Sequence, residues 1–307
     1  MAMKYRDWAG GRVRVSELVF GTMRFLPGGV GKKADPAEGA AALAAAIELG
    51  ITTFHSSYEY GVQEGFGVLL RRMGVQGEVQ HIVKSHSNSK MTKDEQREFL
   101  AGQLDVLGAE RIDVFQIRGS TWADEERILE NVTPLIDEGL IVSTAAFAYD
   151  NGQATTAVAD DRIDGLAEYV NPLKLKAAAG YPAAAALGKK VLAFQPLCEG
   201  AFSDKRPSWE ELPEGDRFKS DRGRMMLGHR AKVAELLPEP PRSWPAFALS
   251  FCLSRPETAG VVVSMNTADQ VRGLAKMLDG PEIDEVTWQA IRELHDKEVE
   301  AGTLKIQ

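Results

Sequence analysis

Four polar residues stand where apolar, strand-like segments of the sequence end, namely His55, Tyr60, Lys84 and Arg118. Lys84 closes the run Gln80–Lys84, and a glycine follows Tyr60, which permits a tight turn that aims the phenol inward. A tyrosine beside an ammonium group is a typical proton donor, because the cation lowers the pKa of the phenol. These residue types therefore predict an acid/base site if the fold brings them together. A rim salt bridge for Lys84 and a packing role for Tyr60 are the structural alternatives.

The rest of the chain alternates short aliphatic or β-branched runs with longer stretches of helical period. This alternation is typical of βαβ units around a parallel sheet. Eight such units indicate one domain over residues 1–307, an α/β fold that closes into a (β/α)8 TIM barrel. In such a barrel the C-terminal strand ends meet at one mouth, where the four polar residues would converge. The predicted strands are Leu18–Gly21, Thr52–His55, Gln80–Lys84, Asp113–Arg118, Ile141–Phe147, Gly165–Val170, Lys190–Gln195 and Gly260–Ser264.

Helices and loops are predicted from apolar spacing and from capping residues. One helix opens at Pro36 and stops at Gly50, a second follows Thr92 as far as Leu107, and a third starts at Asp124. The segment Ser203–Arg222, rich in charge, proline and glycine, predicts a long loop over the strand ends.

Composition narrows the class of protein. The 307 residues include 36 Lys and Arg against 44 Asp and Glu, a net charge of −8, which disfavours nucleic-acid and anionic membrane partners. The two cysteines, Cys198 and Cys252, lack CxxC spacing, so neither a disulfide framework nor a cysteine zinc site is expected. The polar segment Met1–Trp8 is unlike an export signal. We expect a cytoplasmic enzyme with a small-molecule substrate.

A set of short segments runs in order along nearly the whole chain: Val15–Leu18 with Gly21–Met23, Glu48–Ile51 through Phe54 to Tyr60–Gly61, Leu104–Gly108 with Ile112–Ile117, Glu138–Ile141, Leu192–Leu197 with Gly200, and Val261–Val263. These segments resemble the aldo-keto reductase family. The resemblance implies the (β/α)8 barrel. It also implies an oxidoreductase that passes hydride between NADP(H) or NAD(H) and a carbonyl or alcohol.

The resemblance assigns catalytic roles residue by residue. In the family a tyrosine donates the proton, a lysine tunes it, an aspartate pairs with the lysine and a histidine orients the substrate. Tyr60 and Lys84 match, whereas the aspartate position is His55 and the histidine position is Arg118. We therefore expect Lys84 to lack its counter-ion and two cations to make Tyr60 ionise more easily. Arg118 is expected to attract a substrate that carries a carboxylate or phosphate.

The cofactor positions match the family only in part. Phe194 corresponds to the aromatic residue that stacks on the nicotinamide. The carboxamide anchors of the family are replaced by Phe147–Ala148 and Ala167, and no Lys or Arg precedes Arg272 in the loop that resembles the adenosine-phosphate segment. Weak binding with little preference for NADPH is the expectation. The remaining cofactor residues implied by the resemblance are Pro196, Leu197, Gly200, Ser264, Asn266 and Gln270.

Other functions stay open at this stage. Lys84 and Arg118 would also suit a lyase, dehydratase or isomerase that stabilises an enolate. A non-catalytic ligand-binding or regulatory barrel is a third possibility. A divalent metal held by His55, Glu59 and His86 is disfavoured because Lys84 would repel it, so no metal is expected. Gly28–Gly29 with Lys32 and Lys33 predicts a flexible cationic loop on the rim, unlike a dinucleotide fingerprint.

Overall fold

The computed structural model describes residues 2–30 and 35–305, so Lys32 and Lys33 of the predicted rim loop lie outside the described residues. The described chain begins with an antiparallel hairpin, made of β1 (Tyr5–Trp8) and β2 (Val13–Ser16). The sequence analysis did not predict this hairpin, because Arg6 and Asp7 interrupt the apolar pattern of its first strand.

Eight parallel strands follow and close into a barrel in the order β10-β3-β4-β5-β6-β7-β8-β9. Every predicted strand is present, with ends that differ by at most a few residues, so the prediction of a (β/α)8 barrel is confirmed. The strands are β3 (Leu18–Gly21), β4 (Thr53–Ser56), β5 (Gln80–Lys84), β6 (Val114–Ile117), β7 (Thr144–Ala148), β8 (Gly165–Tyr169), β9 (Lys190–Phe194) and β10 (Thr258–Ser264).

The helices surround the barrel, and their ends follow local capping chemistry. Thr92 and Glu95 form a capping box at the start of α3, and Gly108 ends that helix with a left-handed φ of 67°. Helix α4 begins two residues before the predicted Asp124, because the side chain of Thr121 caps it. None of the helices in the described ranges is long and apolar enough to cross a membrane. They are α1 (Pro36–Glu48), α2 (Gln63–Met73), α3 (Lys93–Leu107), α4 (Trp122–Asp137), α5 (Asn151–Ala159), α6 (Gly180–Ala186), α7 (Asp221–Glu235), α8 (Trp244–Leu253), α9 (Ala268–Met277) and α10 (Glu285–Glu300).

The residues that point into the barrel change from apolar to largely polar or aromatic toward the C-terminal ends of the strands. Because side chains alternate between the two faces of a strand, inward residues recur at every second position. The deeper inward residues are apolar and form one buried cluster that includes Val19, Ile82, Val114, Ala145, Ala167 and Leu192. One step nearer the C-terminal ends, strands β4 to β9 supply His55, Lys84, Gln116, Phe147, Tyr169 and Phe194, which line a cavity. The period of the strands therefore puts the polar layer directly above a packed apolar one.

The N-terminal hairpin covers the opposite end of the barrel. Trp8 is fully buried in the same apolar cluster, and its indole Nε1 donates to Oγ of Ser143 at 3.0 Å. Gly165 makes room for the ring, since a Cβ on that residue would come within 2.5 Å of Trp8 Cη2. The hairpin thus packs against the apolar cluster that lies beneath the polar layer.

Replacing Trp8 by alanine should lower the free energy of unfolding by about 3–5 kcal/mol, because it leaves a large cavity and removes the hydrogen bond to Ser143. Urea denaturation followed by circular dichroism measures the loss. Val286→Ala is the control, since Val286 is 77% exposed and its truncation should change little. A Trp8→Ala protein as stable as the wild type would contradict this role for the hairpin.

Candidate active site

The four residues singled out from the sequence lie around one cavity of about 480 Å³ at the C-terminal ends of the barrel strands. His55 is on β4, Lys84 ends β5, and Arg118 directly follows β6. Tyr60 belongs to a short 3-10 turn, Tyr58–Tyr60, which Gly61 ends with a left-handed φ of 69°. The structure therefore brings together the groups that the sequence placed at separate strand ends.

Lys84 forms an ion pair with Glu59, which lies in the turn just before Tyr60. The Lys84 side chain is 6% exposed and that of Glu59 is 31% exposed. Burial acts to raise the pKa of Glu59, but the hydrogen bond and charge of Lys84 outweigh it, so the pKa lies below its usual value. The pKa of Lys84 is lowered by burial, which the contact with Glu59 opposes. The expectation that Lys84 lacks a counter-ion is wrong, because the carboxylate comes from the turn instead of from β4.

His55 is held by a partner that the sequence analysis missed. Its Nε2 donates to Oε1 of Gln116 at 2.7 Å, and both side chains are buried. Burial is the main reason that the pKa of His55 falls to about 4; the Gln116 contact raises it and the charge of Lys84 lowers it. His55 is therefore neutral at pH 7 and adds no charge. Gln116 lies beside Lys84 in the strand register and two residues after inward Val114, which is the pattern that identifies it.

Arg118 is anchored by aromatic residues. Its Nε donates to the hydroxyl of Tyr149, and its Cζ lies 5.9 Å from the ring centre of Phe147 and 5.8 Å from that of Tyr149. Within the described ranges its guanidinium forms no ion pair with a carboxylate. The terminal nitrogens consequently keep their charge for a ligand in the cavity.

Tyr60 is less acidic than the sequence led us to expect. Burial raises its pKa well above the usual value, and the charge of Arg118 only partly offsets this, while Tyr169 and Glu59 raise the pKa further. The predicted easier ionisation is wrong for the free protein, because Glu59 compensates Lys84 and burial outweighs Arg118. At neutral pH the phenol keeps its proton, which is the form that a proton donor needs.

Most of the cofactor residues inferred from the resemblance lie on the same cavity. The ring of Phe194 meets His55 edge-on, with 4.9 Å between ring centres, and Phe147 at 5.7 Å. Asn266 and Gln270 are not part of the lining; the backbone N–H of Asn266 donates to Oε1 of Gln270 at 2.8 Å. Those that do line the cavity are Phe194, Pro196, Leu197, Gly200 and Ser264.

Several further residues of the cavity were not predicted. Arg24 and Arg217 line it from loops after β3 and β9. Gln195 lies at the end of β9 with a φ of 55°, and Nζ of Lys174 donates to its Oε1 at 3.0 Å. Asn171 Nδ2 donates to the backbone oxygen of Gln195 at 2.8 Å. The sequence predicted a strand that ends at Gln195 and a loop over the strand ends that contains Arg217, but no local pattern showed which of their side chains would reach the cavity. Arg24 lies in a loop for which the sequence carried no signal.

The candidate metal ligands are not brought together. The ring of His86 stacks on Tyr58 with 4.6 Å between ring centres, and its Nδ1 accepts from the N–H of Asn88 at 2.9 Å. Among the residues that the structure describes, no group of three His, Cys, Asp or Glu side chains could hold an ion. The geometry gives the metal alternative no support.

Removing the counter-ion of Lys84 should destabilise the folded protein. We expect Glu59→Gln to lower the free energy of unfolding at pH 7 by about 1–3 kcal/mol, because a buried ammonium loses its partner. The lowered pKa of Glu59 means that its contribution is present above the ordinary carboxyl pKa and is lost as the pH falls through the folded value. The stability difference should therefore shrink as the pH falls below the ordinary carboxyl pKa and should vanish once Glu59 is protonated in the folded protein.

Denaturant titrations between pH 3 and pH 8 measure this difference. Glu138→Gln is the matched control, because it removes a carboxylate from the exposed Arg97–Glu138 pair and should have a much smaller effect. Equal losses in the two variants, or a Glu59→Gln loss that does not depend on pH, would show that the ion pair does not contribute as described.

Comparison with known proteins agrees with the barrel fold. The model of the Aldo/keto reductase family matches residues 17–296. No match was found among curated proteins. Two solved structures of aldo-keto reductase AKR11C1 from Bacillus halodurans are similar in fold, the apo form with 22% identity and a TM-score of 0.74 and the holo form with 21% and 0.75. In each case the match covers 95% of this chain and 96% of the other. The chain is therefore a member of the aldo/keto reductase family.

Proposed function

We propose that this protein is an NAD(P)-dependent oxidoreductase that reduces the carbonyl group of an acidic substrate, or oxidises the corresponding alcohol. The observation that carries the proposal is the shared cavity of Tyr60, Lys84, Arg118 and Phe194 in a barrel of this family. Tyr60 is the proton donor, Lys84 and Arg118 are the nearby cations, and Phe194 is the wall for a planar ring.

The residues present fit a nicotinamide dinucleotide. Phe194 offers an aromatic surface, and Arg24 and Arg217 supply positive charge on the same cavity for a diphosphate. Nε of Arg24, which lines this cavity, is buried and has no hydrogen-bond partner among the described residues, so it is available to donate to a bound diphosphate. A bound cofactor would supply the hydride for the carbonyl carbon.

Affinity for that cofactor should be modest. Phe147 and Ala167, at positions where the family is expected to bind the carboxamide, offer no side-chain hydrogen bonds. Ser264, Asn266 and Gln270 carry no positive charge for a 2′-phosphate, which normally requires a cation. NADPH should therefore bind little better than NADH.

The proton transfer is assigned to Tyr60. Its hydroxyl donates a proton to the carbonyl oxygen as the carbonyl is reduced, and the resulting phenolate regains a proton from solvent. Arg118 stabilises the phenolate directly, since its charge favours the ionised form of Tyr60. Lys84, partly compensated by Glu59, contributes less charge than an isolated ammonium would. The neutral ring of His55 packs beside Tyr60, with 5.9 Å between ring centres.

The acidic substrate is inferred from Arg118. A half-buried guanidinium that forms no ion pair with a described carboxylate favours a carboxylate or phosphate. The Tyr149 contact fixes its Nε and leaves the terminal nitrogens for the ligand.

A non-redox lyase, dehydratase or isomerase is the second candidate. Two cations beside Tyr60 would stabilise an enolate, and the apolar Phe147 and Ala167 favour weak use of a dinucleotide. Turnover or substrate proton exchange in the absence of any nicotinamide cofactor would favour this function over reduction.

Tyr60→Phe should lower kcat for carbonyl reduction by about 100- to 10,000-fold, because it removes the donated proton and little else. The melting temperature should stay close to that of the wild type. Tyr5→Phe is the control, since the Tyr5 hydroxyl donates to the backbone oxygen of Gly50, away from the cavity lining. Near-normal turnover in Tyr60→Phe would refute the assignment, and unfolding of this variant would instead indicate a packing role.

Arg118→Leu should weaken the binding of a carboxylated aldehyde such as 4-oxobutanoate by roughly ten- to a hundredfold, because a charge-assisted contact is lost. The methyl ester of the same compound should bind equally well to both proteins. Arg14→Leu, which removes a 66% exposed arginine, controls for the loss of net charge. An equal loss for the acid and the ester would contradict the role of Arg118 as the acid anchor.

A further inference from the structure

We propose that a second cavity, beside the first, is a subsite for a hydroxylated and uncharged chain of the substrate; the inference rests on the proposed function. This cavity has a volume of about 330 Å³ and shares Lys84 and Arg118 with the main cavity. The two side chains therefore form the boundary between a compartment that contains Tyr60 and one that does not.

Hydroxyl groups supply much of the surface of the second cavity. Ser87 and Ser89 come from the loop after β5, and Ser120 comes from the turn before α4. Ser89 Oγ donates to Oδ1 of Asp124 at 2.9 Å, while Ser120 is exposed and makes no side-chain hydrogen bond with the described residues. Ser120 is able to donate one hydrogen bond to a ligand and to accept others, and Ser89 is still able to accept. A ligand with both donors and acceptors is the match for such a wall.

The charges around the cavity disfavour a multiply charged ligand. Glu59 compensates Lys84, and Asp124 places a second carboxylate on the wall. A phosphate in this compartment would meet both carboxylates, whereas a neutral hydroxyl donates to them. Arg118 alone keeps an uncompensated charge, and it stands at the boundary with the main cavity. An acid group is thus expected at the boundary and a neutral chain beyond it.

An apolar chain fits this compartment poorly. It would remove water from the serine hydroxyls and from the carboxylate of Asp124 without replacing the lost hydrogen bonds, which is unfavourable. A chain of alcohol groups replaces them. The side chains that line the second cavity therefore favour a polyhydroxylated acid, such as a sugar acid, as the class of substrate or product.

Four six-carbon ligands separate the two features of this class. D-Gluconate has the carboxylate and the hydroxyls, hexanoate has only the carboxylate, D-glucitol has only the hydroxyls, and 1-hexanol has a single hydroxyl. Calorimetric titration of the protein without cofactor measures binding alone and does not depend on turnover. D-Gluconate should bind at least about tenfold more tightly than hexanoate, since each new hydrogen bond contributes modestly.

Serine variants test whether the hydroxylated chain binds in the second cavity. The triple variant Ser87→Ala/Ser89→Ala/Ser120→Ala should remove most of the advantage of D-gluconate and leave hexanoate unchanged. Ser120→Ala alone removes a hydroxyl without a described partner, so it should fold normally and still weaken D-gluconate binding about threefold. Ser254→Ala, whose hydroxyl donates to the backbone oxygen of Phe251 at the end of α8, is the matched control.

The outcomes separate the subsite from the proposed function. Equal affinity for D-gluconate and hexanoate, or full D-gluconate binding by the triple variant, overturns the subsite. If each acid binds no better than its neutral counterpart while the hydroxyl advantage persists, the acid anchor fails and the subsite stands. Absence of binding by all four ligands at millimolar concentration overturns the subsite as well.

Discussion

The ion pair between Lys84 and Glu59 is the interaction on which the site depends. An ammonium at the end of an apolar strand, almost without exposure, requires a nearby negative group or loses its charge. The neighbouring inward position on β4 is a neutral histidine, so the carboxylate has to come from a loop. The turn Tyr58–Tyr60 supplies it, and by folding over Lys84 this turn also places Tyr60 at the mouth of the barrel.

The other features of the mouth follow from this arrangement. With Lys84 compensated, Arg118 is the charged group between the two cavities that remains available to a ligand, and aromatic rings fix its orientation. The same ion pair belongs to the wall of the second cavity, which leaves that compartment nearly neutral. Beneath the polar layer, the apolar barrel core and the buried Trp8 hold the strands in place. The charged groups of the site thus lie directly above the packed apolar core of the barrel.

The architecture was predictable from the sequence because strand and helix periods are local. The alternation of short apolar runs with helical stretches defined the eight barrel strands, and Thr92 with Gly108 marked the ends of α3. Convergence of His55, Tyr60, Lys84 and Arg118 followed from barrel geometry alone. The β1–β2 hairpin escaped prediction because the charged side chains of Arg6 and Asp7 hide a short strand with one buried end.

The electrostatics of the site were not predictable in the same way. Which carboxylate reaches Lys84 depends on the path of a turn, and Glu59 is separated from it by 25 residues. Whether Tyr60 is made more or less acidic depends on the balance between burial and charge, which only the three-dimensional arrangement decides. Arg24 and Arg217 reach the cavity from loops, and no sequence pattern indicates which side chain of a loop will point inward.

Whether this altered site still accepts a nicotinamide dinucleotide beside Tyr60 and Phe194 can be measured by titrating the protein with NADPH and with NADH, followed by quenching of protein fluorescence and by calorimetry. We expect micromolar or weaker binding of both, with little preference for NADPH, and a further loss in Phe194→Ala. Failure of either nucleotide to bind at millimolar concentration would refute this assignment. So would nanomolar binding with strong selection of NADPH, because that requires a phosphate clamp that the described loop after β10 does not contain.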